Sequence, residues 1–530
     1  MKIKKTIPET KPSEIEELIE RVKSGNLSER ERELVVKLLR FVLTMVSQIE
    51  AKNATIGKLK RMIFGPRSEK QEKEVEKKES EAKEKEKEEE KGGEEGKKRR
   101  GHGRRGAEEY RGAKRVECRD EKLRSGDRCL DEKCGGRVYD TQAPQILIRL
   151  EGRGPVEATR YEQEVLRCAK CQQRYVAGLP AGVKAEKYDE TADVMVAILK
   201  YGTGLPMYRM ERLQESLGVP LPAGTQFERC EEVAKAGHPV YLELKRQAAN
   251  GEVIHVDDTG VTILECVKEN QGVGEKERQG TQTTGIGAQV GGKRIALYMS
   301  GRRHAGENLG EVGQKRKEGL RLPIVMGDAE NRNWTSEFEK IVSKCLAHAR
   351  RKFVEVAQAF PKECGRVLKA LGTVYHNETK TKEMTADERL AYHQAESQPV
   401  MEALKKWAED QLEVREVEPN SQLGKALTYL LKHWEGLTQF LRVKQAPLDN
   451  NLAERILKRA VLHRKNAYFY KTRHGAVIGD IIMSLIESCH LNQINAFEYL
   501  VTLMREAKAV RARPGDWLPW NYQTASRQQA

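Results

Sequence analysis

The chain has 530 residues, with 95 Lys plus Arg against 80 Asp plus Glu and a formal charge of +15. So long a chain needs several folded units rather than one core. Its basic excess favours a polyanionic partner, nucleic acid first, because Lys and Arg neutralise phosphates and release counterions. No apolar run nears the ~18 residues that span a bilayer, and Met1-Lys-Ile-Lys-Lys-Thr6 lacks a secretory apolar stretch; the expectation is a cytoplasmic protein with no membrane partner. Ten cysteines are too sparse for a disulfide framework, so in a reducing compartment they serve as thiols or metal ligands.

In chain order, Ser28-Glu-Arg-Glu31 reads as a capping box that starts a helix. Along it Val35, Leu38, Val42, Met45, Ile49, Ile56, Leu59 and Ile63 recur at steps of three and four, with Lys52 as the only polar intruder. That seam predicts a coiled coil pairing protomers into a homodimer or larger assembly; the alternative is a helix packed on its own domain. Helical zipper region 1–70 is followed by a charged linker, 71–100, almost wholly Glu and Lys with nothing to bury. Segment 101–180 is basic and cysteine-bearing. Arg104 and Arg105, between glycines, suit phosphate contact without base reading. Cys129 and Cys134, with Cys168 and Cys171, form two short loops able to hold one structural Zn2+, four thiolates leaving no open position for water; unligated surface thiols are the alternative. The isolated Cys230, Cys266, Cys345, Cys364 and Cys489 are expected to be small buried hydrophobes. Region 181–248 reads as helices broken at Gly204 to Pro206 and Gly218 to Gly224, either a groove-reading DNA-binding unit or a helical linker.

From Glu252 the composition turns to strands. Val253 to Val256 leads into Asp257-Asp258-Thr259; Thr283 to Val290, Gly291-Gly292 and Lys293 to Met299 read as a hairpin; Leu322 to Met326 ends in Gly327-Asp328. Carboxylates at strand ends after a hairpin match an RNase H-like sheet. A third acid, Glu454, sits on a helix that Asn450 or Asn451 can cap, at the margin of the apolar face made by Ala453, Ile456, Leu457, Ala460 and Val461. Arg455, Lys458 and Arg459 fall on the opposite, solvated side. Two Mg2+ (or Mn2+) ions ~3.5–4 Å apart, held by carboxylates, stabilise the attacking and leaving oxygens of phosphoryl transfer. The plainer alternative is that each acid caps a turn or pairs with a base, as Glu454 can with Lys458.

Four stretches, Arg61 to Lys70 at the end of the seam, the cysteine segment, Cys345-Leu-Ala-His-Ala-Arg-Arg-Lys-Phe353, and Pro447-Leu-Asp-Asn-Asn-Leu-Ala-Glu-Arg455 with Arg464-Lys-Asn466 and Ser484 to Ser488, resemble the insertion-sequence-sixty-six family of bacterial transposases. The resemblance covers nearly the whole chain. It implies a DDE transposase that cleaves strands at element ends and joins the freed 3′-hydroxyl to target DNA. Asp257, Asp328 and Glu454 would be its catalytic, metal-binding acids, with Asp258 competing for the first position. The implied fold is multidomain α+β: an RNase H-like domain in two parts, 249–354 and 446–505, interrupted by a helical insertion, 355–445, with a tail at 506–530. Arg350, Arg351, Lys352, Arg455, Arg464 and Lys465 would contact DNA, and His348 would either touch the scissile phosphate or be a satisfied structural histidine. Accessory proteins encoded by the same element are expected partners. A catalytically inactive DNA-binding relic and a nuclease without strand transfer are the alternatives. Leu462-His-Arg-Lys465 departs from the family's commoner Gly-Arg-Lys, and Cys129-x4-Cys134 from its tighter first pair.

Overall fold

The computed structural model describes Asp127, Arg137 and residues 154–167, 174–270 and 279–529. The predicted zipper, linker, Arg104 and Arg105, and the four clustered cysteines lie outside these. Pro155–Ala530 belongs to one compact unit and Pro66–Gly154 to another. Within the first, β1 (Val165–Arg167) pairs antiparallel with β2 (Arg174–Val176). Helices α1 (Glu190–Ala197), α2 (Met207–Ser216) and α3 (Ala223–Ala249) follow, with a π turn at Ile198–Gly202 and breaks at the predicted Gly and Pro positions. Asp189 starts α1 by accepting from the Ala192 N–H, satisfying one of the orphan donors of the first turn.

The centre of this unit is a mixed sheet. Strands β3 (Val253–Gly260), β4 (Gln282–Val290) and β5 (Lys293–Gly301) are antiparallel neighbours, and β6 (Ile324–Gly327) and β7 (Ile341–Lys344) add in parallel on the other side of β3, giving the order β5-β4-β3-β6-β7. The β4–β5 turn uses Gly291 and Gly292, both at positive φ, as the paired glycines predict. Short α4 (Leu264–Glu269) and α5 (Ala305–Gly313) lie between strands. Beyond β7 the chain is helical: α6 (Leu346–Val356), then, over the predicted insertion 355–445, α7 (Pro361–Lys380), α8 (Ala386–Glu396), α9 (Gln398–Glu413), α10 (Gln422–Lys432) and α11 (Trp434–Leu437). Then come α12 (Asn451–Ala467), α13 (Arg473–Leu491), α14 (Ala496–Arg505), α15 (Ala507–Ala512) and α16 (Tyr522–Gln529).

Two apolar clusters hold these layers. One joins the sheet to α3, α12 and α13 through residues such as Leu244, Ile286, Leu297, Ile456 and Ile482. The other packs α6, α7, α9 and α10 around Phe353, Leu371, Leu404 and Leu427, and reaches the sheet at Val253 and Ile324. Helices 355–445 therefore have a core of their own, rooted at the parallel side of the sheet. All five isolated cysteines are buried, as small hydrophobes should be.

The exposed edge of β5 is closed by α13 rather than by another strand. Asp480, Ser484, Ser488 and Asn492 accept from the backbone N–H groups of Ser300, Tyr298, Ala296 and Arg294, at 2.6, 2.9, 3.0 and 3.2 Å. Four residues of helix advance ~6 Å and two residues of strand ~6.6 Å, so one rung every turn stays in register along the edge. Burial pushes the Asp480 carboxyl up to about 7, with the Ser300 donors opposing it. Ser484 and Ser488, which the sequence shows only as the ends of a motif, thus act as rungs that satisfy an edge otherwise open to foreign strands.

Candidate functional site

The site is set by which face of β3 each residue occupies. Side chains alternate across a strand, and directly paired residues share a face. Asp257 pairs with Gly285 and His255 with Gly287. Those two glycines are where α12 lies on the sheet: a Cβ at Gly285 would stand 2.8 Å from Leu457 Cδ2, and one at Gly287 2.8 Å from Ile456 Cδ1. Glycine at both positions lets the helix approach this closely. Glu454, one turn before Leu457, is thereby brought over the Asp257 side of the strand. On the other flank, Met326 pairs in parallel with His255, so Asp328, two residues on and just past the end of β6, falls beside Asp257.

Electrostatics report the same neighbourhood. The Asp257 carboxyl is pushed up to about 7, first by burial and then by the charges of Asp328, Asp258 and Glu454, against the pull of its hydrogen bond from the Asp258 N–H. Asp328 Oδ1 accepts from the Glu330 N–H at 3.0 Å and from the Asn333 amide. Glu454 is half-buried, and among the described residues none of the three acids is in an ion pair; the alternative surface pair of Glu454 with Lys458 is not formed. Nor, among the described residues, do three or more His, Cys, Asp or Glu side chains gather closely enough to hold a metal ion. The acids thus face one another within electrostatic reach without closing to coordination distance. Oxygen-only donors, mutually repelling and without basic partners, form a set that suits a hard divalent cation.

Asp258 points the other way. Its Oδ1 accepts from the Thr284 hydroxyl at 2.6 Å and its Oδ2 from the Ala305 N–H at 2.8 Å, with His304 Nδ1 at 3.6 Å. Of the two candidates for the first acid, only Asp257 shares a face with Glu454 and Asp328.

Asn450 departs from expectation. It precedes α12 as predicted but its side chain makes no cap. Fully buried, its Oδ1 meets His255 Nδ1 at 3.1 Å and its Nδ2 donates to the Val256 carbonyl at 2.9 Å. His255 is held neutral, its pKa lowered to about 4 chiefly by burial, so Nδ1–H is the donor in this bond. Asn450 therefore ties the start of α12 to β3 two residues from Asp257. Its role was hidden because the partner lies 195 residues away. Gly285-x-Gly287 was the signal available: glycines inside a strand mark close approach of another element.

The remaining sequence-derived residues divide. Arg350, Arg351 and Lys352 are exposed on α6, with Lys352 Nζ 4.4 Å from the centre of the Tyr429 ring. His348 is half-buried and its Nδ1 has no hydrogen-bond partner, which is not the pattern of a satisfied structural histidine. Arg455 and Lys465 are exposed, while Arg464 donates to Thr259 Oγ1 at 3.1 Å and to the Gly260 carbonyl. Arg459, expected on the solvated side, is instead enclosed. It bonds Glu487 at 2.5 Å and the Gly202 carbonyl at 2.6 Å, because α13 and the π turn cover that flank of α12. His463, in the segment that departs from the family pattern, is buried between two rings. Its imidazole stacks on Tyr201 at 5.6 Å and Tyr470 at 4.6 Å, and burial lowers its pKa to about 3.

Comparison with known proteins agrees with the resemblance drawn from the motifs. Two uncharacterized proteins of Sinorhizobium fredii, y4jD and y4hP, are each 26% identical to the chain over 340 and 352 residues, 62% of its length. These alignments span 65% and 61% of the relatives' own lengths, less than two thirds. No helix among the described residues is long and apolar enough to cross a membrane. Residues 188–478, more than half of the sequence and including all three acids, match the family described as Transposase IS66, and the chain belongs to that family.

Proposed function

We propose that the chain is a DNA transposase whose catalytic domain is RNase H-like and uses Asp257, Asp328 and Glu454 to cut DNA at element ends and join it to target DNA. What supports this is the meeting of three acids, Asp257 from a strand, Asp328 from just past a strand end and Glu454 from a helix, on one face of the sheet, with Asp257 driven up to about 7 by burial and by its acidic neighbours. The strand order β5-β4-β3-β6-β7, three antiparallel and two parallel, and the long helical segment before α12 support the fold reading.

Asp257, Asp328 and Glu454 would hold divalent cations, two Mg2+ or Mn2+, which when bound supply charge stabilisation for the attacking and leaving oxygens. The chain's own contribution is position. Asn450 and the two strand glycines fix Glu454 against β3. Glu330 N–H and Asn333 hold one oxygen of Asp328 and leave the other for a ligand. Arg350, Arg351, Lys352, Arg455, Arg464 and Lys465 would take phosphates and set the DNA register. Outside the described residues, the zipper would pair protomers so that two ends are held together, Arg104 and Arg105 would add phosphate contacts, and Cys129, Cys134, Cys168 and Cys171 would bind structural Zn2+. Accessory proteins of the same element complete the proposed partners, in the cytoplasm.

The test is a strand-transfer assay with Mg2+, comparing the natural chain with Asp328→Asn on DNA carrying the element's ends. Metal-dependent cleavage and joined product, both lost in the variant, are expected. Binding without chemistry would leave a catalytically inactive relic, and cleavage without joined product a nuclease.

A further inference from the structure

Beyond the acids, α12 ends in an unusual display of aromatic side chains. Tyr468 is 67% exposed and Phe469, next to it, 41%. A consecutive pair of exposed aromatic residues occurs nowhere else among the described residues. Tyr468 has φ +66° and ψ −45°, and the Phe469 N–H reaches the Ala467 carbonyl at 2.8 Å. This is a γ-turn of the rare, strained hand. A bulky non-glycine residue in such a turn costs free energy and persists only when its surroundings impose it.

The surroundings here do impose it. His463 is clamped between Tyr201 and Tyr470. Tyr470 continues the strand-like pairing past β3: its N–H donates to the Thr262 carbonyl and its carbonyl accepts from the Leu264 N–H, both at 2.9 Å. Arg464 bonds Thr259 and Gly260. The buried rings hold the turn from below while the two outer rings are left in water, where they gain nothing for the fold.

We propose that Tyr468 and Phe469 form a stacking platform for unpaired nucleotides of the DNA substrate, a reading that rests on the proposed function. The charge around the rings selects this occupant. Lys465 and Lys471 are exposed and have no ion-pair partner among the described residues, and Arg464 adds a third cation, bonded to the end of β3. Aromatic faces flanked by cations suit bases on a phosphate chain, since every base offers a π face while Lys and Arg track the backbone. The platform also lies within reach of the chemistry. From Asp257 to Thr262 the chain runs five residues, ~16 Å if extended, and from Glu454 to Tyr468 fourteen helical residues, ~21 Å. At ~3.4 Å per stacked nucleotide along one strand, the helical length puts the rings no more than about six nucleotides from Glu454.

The experiment measures binding of the full chain, with Mg2+ and Mn2+ omitted so that no cleavage occurs and no chelator added, to a labelled short duplex carrying a few unpaired nucleotides at one end and to the same duplex blunt-ended. The natural chain is expected to prefer the unpaired end by about ten-fold or more. Tyr468→Ala with Phe469→Ala should lose that preference while blunt-duplex affinity is unchanged. Tyr468→Phe with Phe469→Tyr should keep it. Tyr468→Leu with Phe469→Leu, which retains apolar bulk should the alanine pair fail to fold, should lose it. No preference in the natural chain, or preference surviving the leucine pair, overturns the platform. So does a change of oligomeric state in the leucine pair without loss of preference, which would assign the rings to a second copy of the chain. A parallel Mg2+ cleavage assay separates the two readings: cleavage without end preference removes the platform alone, and end preference without cleavage removes the enzyme alone.

Discussion

Asp257 and Asp258 are neighbours in the chain and opposites in surroundings. On one face of β3, Asp258 meets donors, the Thr284 hydroxyl and the Ala305 N–H. On the other, Asp257 meets the charges of Asp328 and Glu454, which with burial raise its carboxyl. Asp480 repeats the first pattern, fully buried and served by both the Ser300 N–H and its hydroxyl. A carboxylate with donors on both oxygens, as in Asp258 and Asp480, is part of the framework; Asp257 and Asp328 each have donors on one oxygen only, an arrangement of facing acids that the fold tolerates for the sake of a cation.

That contrast can be broken from either side. The largest effect should come from Asp328→Asn, which removes an acid that has no structural partner charge. DNA cleavage with Mg2+ should fall about a thousand-fold or more, ~4 kcal/mol in barrier, with little change in DNA affinity by anisotropy. Asn450→Ala acts on the support instead. It strands the buried His255 N–H and Val256 carbonyl, costing ~2–3 kcal/mol in denaturant unfolding, and it loosens α12 enough to slow cleavage roughly ten-fold. Asp258→Asn turns an amide donor toward one of two existing donors and should cost ~1–2 kcal/mol, an effect that added Mg2+ does not alter.

Asp257→Asn should have the smallest effect on stability and the opposite sign. The folded carboxyl titrates near 7, against an ordinary value of 3.8, so the folded state keeps a proton that the unfolded chain releases. The stability contributed by this group is present at low pH and is lost as pH rises between about 4 and 7. The asparagine variant lacks that slope. At pH 8 without divalent cations it should be more stable than the natural chain by ~1 kcal/mol, below the full linkage value because neighbouring acids share the titration. Thermal melts across this pH range, repeated with Mg2+, check it: the cation should raise the melting temperature of the natural chain more than that of the variant.

The sequence made the strand before Asp257, the Gly-Gly hairpin, the strand before Asp328 and the helix of Glu454 readable, because each is a local pattern of alternation, turn chemistry or helical period. It did not choose between Asp257 and Asp258. The face of a strand that meets a helix depends on what packs there, and here Gly285 and Gly287 decide it. Asn450 looked like a cap because that is what asparagine before a helix usually does, whereas its amide is spent across the sheet. Arg459 looked solvated because a single helix shows only its own apolar stripe, and α13 covers a second. His463 had no local reading, since Tyr201 comes from a distant segment and Tyr470 reaches it only because the turn at Tyr468 folds the chain back.

The ladder of α13 on β5 has a consequence for how the protein is made. Each rung joins residues 180 to 198 positions apart, so at ~5–20 residues per second the ribosome delivers the helix roughly 10–40 s after the strand it must cover. Throughout that interval the nascent sheet carries a bare row of N–H groups beside Ile295 and Leu297, open to any extended segment nearby. The nascent chain is therefore most in need of a holding chaperone in the window that closes when Asp480 to Asn492 emerges.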